Sequence, residues 1–543
     1  MATIIGTPGD DQLTSTIEDD DIFGLEGDDV IVGGVGGEGG DDISGGPGFD
    51  TVSYEGASGG VTVDLAVGAA SDGVFLDILA DVEAVIGSLD DDQLAGDDLA
   101  NELTGLGGAD VLQGRGGNDT LVPGTGIDVV DGGAGFDEVS YEDLAGPVEV
   151  DLEAGTAVEL AESDVTDTLL SIEAAVGSPF DDILVGSAGN NAFEGLAGND
   201  VIDGGGGRDR ADYRDSPGSV TVDLASGTAD DGFGTTDTLI GIEQVGGSGF
   251  DDVLTGDGSA NAFQGLAGED QIDGGGGRDR VEYLNSAAGV EVRLVDGSAV
   301  DGFGTEDTLV SIEDILGSEF DDRLVGDGAD NVIEGLAGSD RINGKGGIDT
   351  VDYFFSPGRV VVDLDAGTAT ERWGPDDVTE RDDLEGPTTF TDRLSNIEDV
   401  RGSGFDDRIR GDDASNFLDG LDGDDKLAGR GGDDILVGGN GDDVLRGGGG
   451  SDVFLYRAAD EGVDLIKDWS SADVIDLRDV LSGTDDPEAN VRLIERGADT
   501  VLRVDPDGGA DGFVDLARLE GATGLSLDTL IDNGNIVVSD AVA

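Results

Sequence analysis

The sequence predicts an all-β protein, a solenoid of short stacked strands, on three observations. A nine-residue unit recurs in strict register through six blocks of the chain. The stretches between the blocks alternate apolar and polar residues with a period of two, which is the pattern of strand. No stretch carries a 3.6-residue apolar spacing of useful length.

The nonapeptide comes first, because a fixed period decides the architecture before any single segment does. From Gly114 the chain reads GRGGNDTLV, PGTGIDVVD and GGAGFDEVS; from Gly420 it reads GLDGDDKLA, GRGGDDILV, GGNGDDVLR and GGGGSDVFL. Each nonapeptide is Gly-rich in its first half, with Asp in sixth place and an aliphatic residue or Phe in eighth. There are 29 of them, in residues 6–53 (five, with 33–35 inserted), 87–140 (six), 177–212 (four), 247–282 (four), 317–352 (four) and 402–455 (six). The eighth residue, as in Leu112, Leu121 and Val130, points inward from a short strand. One nonapeptide cannot bury that side chain alone, whereas a stack can.

Composition bounds the function. The 543 residues include 123 acidic and 27 basic side chains, for a net charge of −96, with no Cys and no His. That charge excludes a nucleic-acid partner, whose phosphates require Lys and Arg, and it argues against an anionic membrane surface. Without Cys there are no disulfides, zinc–thiolate sites or thiol nucleophiles; without His there are no His-dependent triads or imidazole bases. Lys345, Lys426 and Lys467 are the only lysines. Charge and glycine alone would suit a disordered chain, but 37% of residues are hydrophobic and they occupy the periodic places. No segment reaches the roughly 18 apolar residues of a membrane helix, so no membrane insertion is expected. The opening MATIIGTPGDDQLTS lacks the regions of a signal peptide.

The nonapeptide offers the oxygens a hard cation wants. Ca²⁺ takes about six to eight oxygen ligands. A Gly-rich turn brings backbone carbonyls close to an ion, the sixth-place Asp adds a carboxylate, and neighbouring turns can share the ion. The repeat closely resembles that of the RTX (hemolysin-type) calcium-binding proteins, over almost half of the chain. The resemblance implies a parallel β-roll with two nonapeptides per coil, multiple Ca²⁺ ions along the turns, and type I secretion to the extracellular space.

The candidate metal ligands are the sixth-place carboxylates. They are Asp11, Asp20, Asp29, Asp41 and Asp50; Asp92, Asp110, Asp119, Asp128 and Asp137; Asp182, Asp200 and Asp209; Asp252, Asp270 and Asp279; Asp322, Asp340 and Asp349; and Asp407, Asp425, Asp434, Asp443 and Asp452. Two departures recur. The second nonapeptide of five blocks has Asn instead, at Asn101, Asn191, Asn261, Asn331 and Asn416, where weaker or absent ion sites and an Asn ladder are expected. The first nonapeptide of four blocks has Phe in place of the fourth Gly, at Phe180, Phe250, Phe320 and Phe405.

Spacers separate the blocks at 54–86, 141–176, 213–246, 283–316 and 353–401, the last lengthened by an insertion near Trp373–Phe390. Block and spacer together repeat every 70 residues from Gly177 to Gly247 to Gly317. Each spacer holds an alternating strand, such as 220–224, and a second segment, such as 237–243, and is expected to continue the coil as wider, calcium-poor rungs. All six Tyr (Tyr54, Tyr141, Tyr213, Tyr283, Tyr353 and Tyr456) directly follow a block and are expected to pack where the coil changes. Arg208, Arg210, Arg278 and Arg280 are expected to screen the stacked acids.

Residues 456–543 complete the chain. The stretch 456–481 resembles the segment that caps RTX β-rolls, and a small C-terminal β cap is expected because a last rung exposes an edge and an apolar interior. The final ~30 residues are poor in charge and resemble a C-terminal signal for type I secretion machinery. DPDGGADG at 505–512 reads as a turn, since its spacing fails the EF-hand pattern. The calcium-free chain is expected to be expanded by self-repulsion and to fold on meeting extracellular Ca²⁺, with no catalytic domain of its own. The alternatives are a cell-surface, S-layer-like or adhesive structural protein and, less favoured, a β-solenoid polysaccharide lyase or epimerase. A cell-surface or polysaccharide partner stays unidentified.

Overall fold

The computed structural model describes every residue except 1–2, 17, 34–38, 73, 161–164, 374–387, 460–461, 483, 485, 509–511 and 540–543, and not the side chains of 373 and 388. Part of the 33–35 insertion, most of the Trp373–Phe390 insertion and part of the 505–512 turn therefore lie outside the described residues. The chain divides into two compact halves, Met1–Leu266 with Gly275–Gly277, and Ala267–Gly274 with Arg278–Ala543.

In the first half each nonapeptide contributes one short strand, and successive strands go alternately to two sheets. Gln93–Ala95, Val111–Gly116 and Val129–Ala134 pair in parallel in one sheet. Glu102–Thr104, Thr120–Val122 and Glu138–Ser140 do so in the other. Partners such as Leu94 and Leu112 are two nonapeptides apart, so two nonapeptides make one coil. In a three-residue strand the middle side chain faces inward. Leu94, Leu103, Leu112, Leu121, Val130 and Val139 stack there, each at most 1% exposed. Burying an aliphatic side chain of this size contributes about 1.5–3 kcal/mol, so the eighth-place residues form the core.

The spacers continue the coil on one sheet only. Ala84–Ile86 is inserted as an ordinary parallel rung between Thr51–Ser53 and Glu102–Thr104, and Ala174–Val176 between Glu138–Ser140 and Ala192–Glu194. On the other sheet the wider rung is a three-stranded antiparallel meander, which the sequence did not suggest. Val148–Asp151, Thr156–Glu159 and Thr166–Leu170 run antiparallel to one another. The last of them pairs with the preceding block (Leu169 with Val130), and the first carries the next block (Val150 with Leu184). Strand order is thus locally reversed. The same arrangement recurs at Thr62–Asp64, Ala69–Ser71 and Leu76–Ala80, and at Thr221–Asp223, Thr228–Asp230 and Thr236–Ile240. A left-handed residue, Asp81, Ser171 or Gly241 (φ 51°, 50° and 59°), then turns the chain toward the other sheet. The expected strand 237–243 is accordingly two pieces, Thr236–Ile240 and Gln244–Gly246.

The second half repeats this plan, with meanders at Glu291–Arg293, Ser298–Val300 and Glu306–Val310 and at Gly358–Asp363, Thr368–Trp373 and Thr388–Ser395. Its C-terminal end is built the same way. Asp464–Ile466 and Val474–Asp476 extend the two sheets. Val491–Arg496, Asp499–Val504 and Val514–Leu519 form a closing meander seated on Asp464–Ile466. After the helix Leu527–Asp532, Ile536–Val537 pairs with Val474–Asp476. The charge-poor tail is therefore folded into the last rungs, where Leu516, Leu519 and Ile536 are buried.

Candidate metal centre

The sixth-place Asp closes each Gly-rich turn just before its strand. Twenty-three of the 24 candidate ligands are buried, and Asp11 is half-buried. Stacking aligns them in two ladders, one along each edge of a block. In the first ladder of block two, the Asp92 N–H donates to Asp110 Oδ1 and the Asp110 N–H to Asp128 Oδ1, both at 2.7 Å. In the second, the Asn101 N–H donates to Asp119 Oδ1 (2.7 Å) and the Asp119 N–H to Asp137 Oδ1 (2.9 Å). The other blocks follow the same rule, as in Asp11 to Asp29 to Asp50, Asp20 to Asp41, Asp182 to Asp200, Asn191 to Asp209, Asp322 to Asp340, Asn331 to Asp349, Asp407 to Asp425 to Asp443 and Asn416 to Asp434 to Asp452.

One carboxylate oxygen is thereby spoken for, and the fate of the other sorts the candidates. Oδ2 of Asp29, Asp50, Asp110, Asp119, Asp128, Asp137, Asp200, Asp209, Asp340, Asp349, Asp425, Asp434, Asp443 and Asp452 is buried and meets no donor among the described residues. In the first nonapeptide of five blocks a second-place Ser occupies both oxygens. Ser178 donates its N–H to Asp182 Oδ2 (2.5 Å) and its Oγ–H to Oδ1 (2.8 Å). Ser88, Ser248, Ser318 and Ser403 serve Asp92, Asp252, Asp322 and Asp407 in the same way. Thr7 donates both its N–H and its Oγ1–H to Asp11 Oδ2, and the Thr16 N–H bonds Asp20 Oδ2. Asp41 accepts the Asp20 N–H. Asp270 and Asp279 take the ladder position, donating to Asp307 and Glu313.

The Asn turns do not form an Asn ladder. The Oδ1 of Asn416 accepts the Asp412 N–H (2.9 Å), and its Nδ2 donates to the Glu398 carbonyl on the preceding rung (2.7 Å). Asn101, Asn191, Asn261 and Asn331 bond Glu83, Glu173, Glu243 and Glu313 likewise. An amide carries both an acceptor and a donor, so these turns are satisfied without a cation.

Sequence reasoning missed the ends of the ladders. The first ladder runs on to a spacer Asp. The N–H of Asp41, Asp128, Asp200, Asp340 and Asp443 donates to Oδ1 of Asp77, Asp167, Asp237, Asp392 and Asp464. The second runs on to a spacer Glu in five blocks, where the N–H of Asp50, Asp137, Asp209, Asp279 and Asp349 meets Oε2 of Glu83, Glu173, Glu243, Glu313 and Glu398. In the last block Asp473 takes that place for Asp452. The signal was present as an Asp and a Glu six residues apart in every spacer, as in Asp237 and Glu243. The Tyr that follows each block closes the first ladder. Tyr54, Tyr141, Tyr213, Tyr283 and Tyr353 donate their phenols to Oδ2 of Asp77, Asp167, Asp237, Asp307 and Asp392 at 2.9–3.2 Å, and Tyr456 bonds Asp464. All six are buried, as packing requires.

The electrostatics call for positive charge. Burial, reinforced by neighbouring carboxylates, pushes Asp110, Asp119, Asp349 and Asp434 up to about 6, Asp128 to about 7, Asp200 to about 8, Asp425 to about 9 and Asp340 to about 10. Asp443 is raised for the same reason. In most of the turns with a bare Oδ2, the first Gly lies between that oxygen and a carbonyl of the next coil. A Cβ on Gly105 would stand 2.5 Å from Asp110 Oδ2 and 2.6 Å from the Pro123 carbonyl oxygen of the next coil. One on Gly114 would collide with Asp119 Oδ2 and stand 2.5 Å from the Gly132 carbonyl oxygen. At block ends the left-handed spacer residues Asp81, Ser171, Gly241, Ser311 and Asn396 supply that carbonyl. Among the described residues no three Asp or Glu side chains gather into a carboxylate-only cage. Each cradle instead combines a bare carboxylate oxygen with backbone carbonyls, an all-oxygen donor set suited to Ca²⁺.

The RTX calcium-binding nonapeptide repeat (4 copies) matches residues 5–37, 35–53, 86–121, 95–130, 176–211, 246–281, 316–351, 401–436 and 428–457. No curated protein sequence matches the chain. Among solved structures, a subunit of the mannuronan C5-epimerase of Azotobacter vinelandii is 32% identical, over 26% of this chain and 82% of that one, with a TM-score of 0.21. The extracellular lipase of Serratia marcescens is 20% identical, over 42% of this chain and 40% of that one, with a TM-score of 0.20. With the repeat matched in all six blocks and its turns lined by oxygen, the chain is an RTX calcium-binding nonapeptide-repeat protein.

Proposed function

We propose that this protein is secreted by type I machinery in an unfolded state, folds outside the cell on binding many calcium ions, and acts as a calcium-built repeat protein without a catalytic domain of its own. The observation that carries this reading is the set of buried Asp Oδ2 atoms with no protein donor. A buried carboxylate left unpaired costs several kcal/mol or takes up a proton instead. The proposed ligands are the fourteen Asp with a bare Oδ2, together with Asp270 and Asp279, which hold the same ladder position. Bound Ca²⁺ would supply the missing charge and fasten adjacent turns. Asp92, Asp182, Asp252, Asp322 and Asp407 have both oxygens held by Ser and are assigned a structural role.

The chain's own residues explain the dependence. In calcium-free solution the ladders set like charges about 4.8 Å apart along the stack, and the net charge of −96 adds a long-range repulsion. Affinities of about 10⁻⁴–10⁻³ M are typical of extracellular calcium modules. Far-UV circular dichroism of chelator-treated protein tests the proposal. A cooperative gain of β signal between about 0.1 and 10 mM CaCl₂, absent with MgCl₂, is expected. A full β spectrum in chelator would overturn it.

A further inference from the structure

The outer face of the second sheet in the first half contains an internal comparison. Outward-facing residues lie in register along it, with Ser140 beside Val176 and then Glu194, and farther on Asp212 beside Gly246 and then Gln264. At the later spacer rung, Arg210 reaches across and donates its Nη2–H to Gln264 Oε1 at 2.8 Å. Gly246 leaves it room, since a Cβ there would stand 2.5 Å from Arg210 Nη2. The position above that rung is thus filled by a guanidinium of the chain itself.

One repeat earlier the residues that match Arg210 and Gln264 are Glu138 and Glu194. Two acids cannot bridge each other. The space between them stays open as a groove of about 670 Å³, floored by Ala174, Val176 and Ala192. Neither carboxylate has a hydrogen bond or ion pair among the described residues. Arg208, Arg210 and Arg214 also line the groove; Arg214 bonds Asp212 through Nε (3.0 Å) and Nη2 (2.5 Å) while its charge acts on both Glu138 and Glu194, and Arg210 Nε faces Asp212 at 3.1 Å. Burial and the charges of Asp215 and Asp212 push the Glu194 carboxyl up to about 8, against the opposing charge of Arg214. In the second half the matching residues are Arg280 and Glu334, of opposite charge.

We propose that this groove binds a small organic cation carrying a guanidinium group, held between Glu138 and Glu194 in the place that Arg210 fills one repeat later. A guanidinium presents donors on opposite edges, so it can bond two carboxylates at once, and its weakly hydrated faces suit an alanine and valine floor. The site lies on the outer face, away from the interior aliphatic stack, and does not depend on which cation occupies the ladders.

Isothermal titration of the calcium-loaded full chain with ethylguanidinium chloride tests the proposal, with ethylurea as the neutral isostere and tetramethylammonium as a cation without donors. One site is expected for ethylguanidinium, no binding of ethylurea, and binding of tetramethylammonium weaker by about tenfold. E138Q and E194Q should each weaken ethylguanidinium by about tenfold. E138R should abolish binding, because the new side chain fills the groove as Arg210 does. Far-UV spectra check that the variants keep the fold. Equal affinity for ethylurea, or affinity unchanged in both Gln variants, would overturn the proposal. So would full displacement by further CaCl₂, which would mark the groove as a metal site.

Discussion

Two kinds of turn share one backbone plan in the third block. The turns of Asp182 and Asn191 are closed by the protein itself, through the Ser178 hydroxyl and N–H in one case and the Asn191 amide in the other. The turns of Asp200 and Asp209 leave an oxygen buried and bare. The chain thus begins each of the later blocks on a rung that holds without an ion and places the ion-demanding turns after it. Sequence period is the same in both kinds; what differs is one hydroxyl or one amide.

The largest test of that difference is calcium removal. The bare turns should lose their strands in chelator, with linkage contributing roughly 1.4 kcal/mol per site at ten times Kd. Hydrogen exchange should show protection surviving longest near Asn191, Asn331 and Asn416. If protection were lost evenly along the blocks, the two kinds of turn would not differ in function.

Acidification comes next, and its sign is unusual for carboxylates. Asp110, Asp128 and Asp200 are raised to about 6, 7 and 8 in the folded state, against about 3.9 in an unfolded chain. Between those limits the folded state binds more protons, so calcium-free stability falls as pH rises. Residual β signal by circular dichroism in calcium-free buffer should be higher at pH 5 than at pH 8. Calcium competes with those protons, so its apparent affinity should rise over the same window.

Substitutions sharpen the comparison on a smaller scale. Gly114→Ala places a methyl group in a cradle and should cost about 2–4 kcal/mol of calcium-dependent stability. Gly249→Ala meets no atom within 4 Å and should change stability by about 0.5 kcal/mol or less. Chemical denaturation in saturating calcium compares the two. Asn416→Asp exchanges the donor to the Glu398 carbonyl for a charge. It should cost about 1–3 kcal/mol of stability at limiting calcium and raise the number of bound ions, read by equilibrium dialysis. Ser178→Ala is the mildest, removing one 2.8 Å hydrogen bond for about 1 kcal/mol.

Much of this was legible in the sequence. The eighth-place aliphatics are the core, the sixth-place Asp are the ladder, and each Tyr packs where block meets spacer. The reversed meander was not legible, because period-two alternation marks a strand and not its direction. Its middle strand is short, Thr228–Asp230, and carries no apolar run. The sorting of the carboxylates escaped for a related reason. Ser178 and Asp182 are four residues apart and read as loop residues until the turn brings hydroxyl to carboxylate. The second place of the nonapeptide shows the converse. Leu106, Arg115, Leu196 and Leu421 look like departures from Gly, yet they keep the left-handed backbone (φ 72°, 81°, 62° and 76°) that Gly124 and Gly133 adopt elsewhere. Stacking therefore overrides a local preference worth roughly 1–2 kcal/mol at each.

The spacer meanders have a consequence for how the chain assembles. Strands inside a block meet partners a full coil away and gain nothing until the neighbouring rung exists. The meander strands are joined by short turns such as the one at Gly227, and hairpins of that kind close in about 1–10 μs. Every spacer is then a local starting point with two paired edges, one for the block before it and one for the block after. Assembly can begin at several places at once and grow toward the middle of each block, so a defect in one block is confined between two intact starting points.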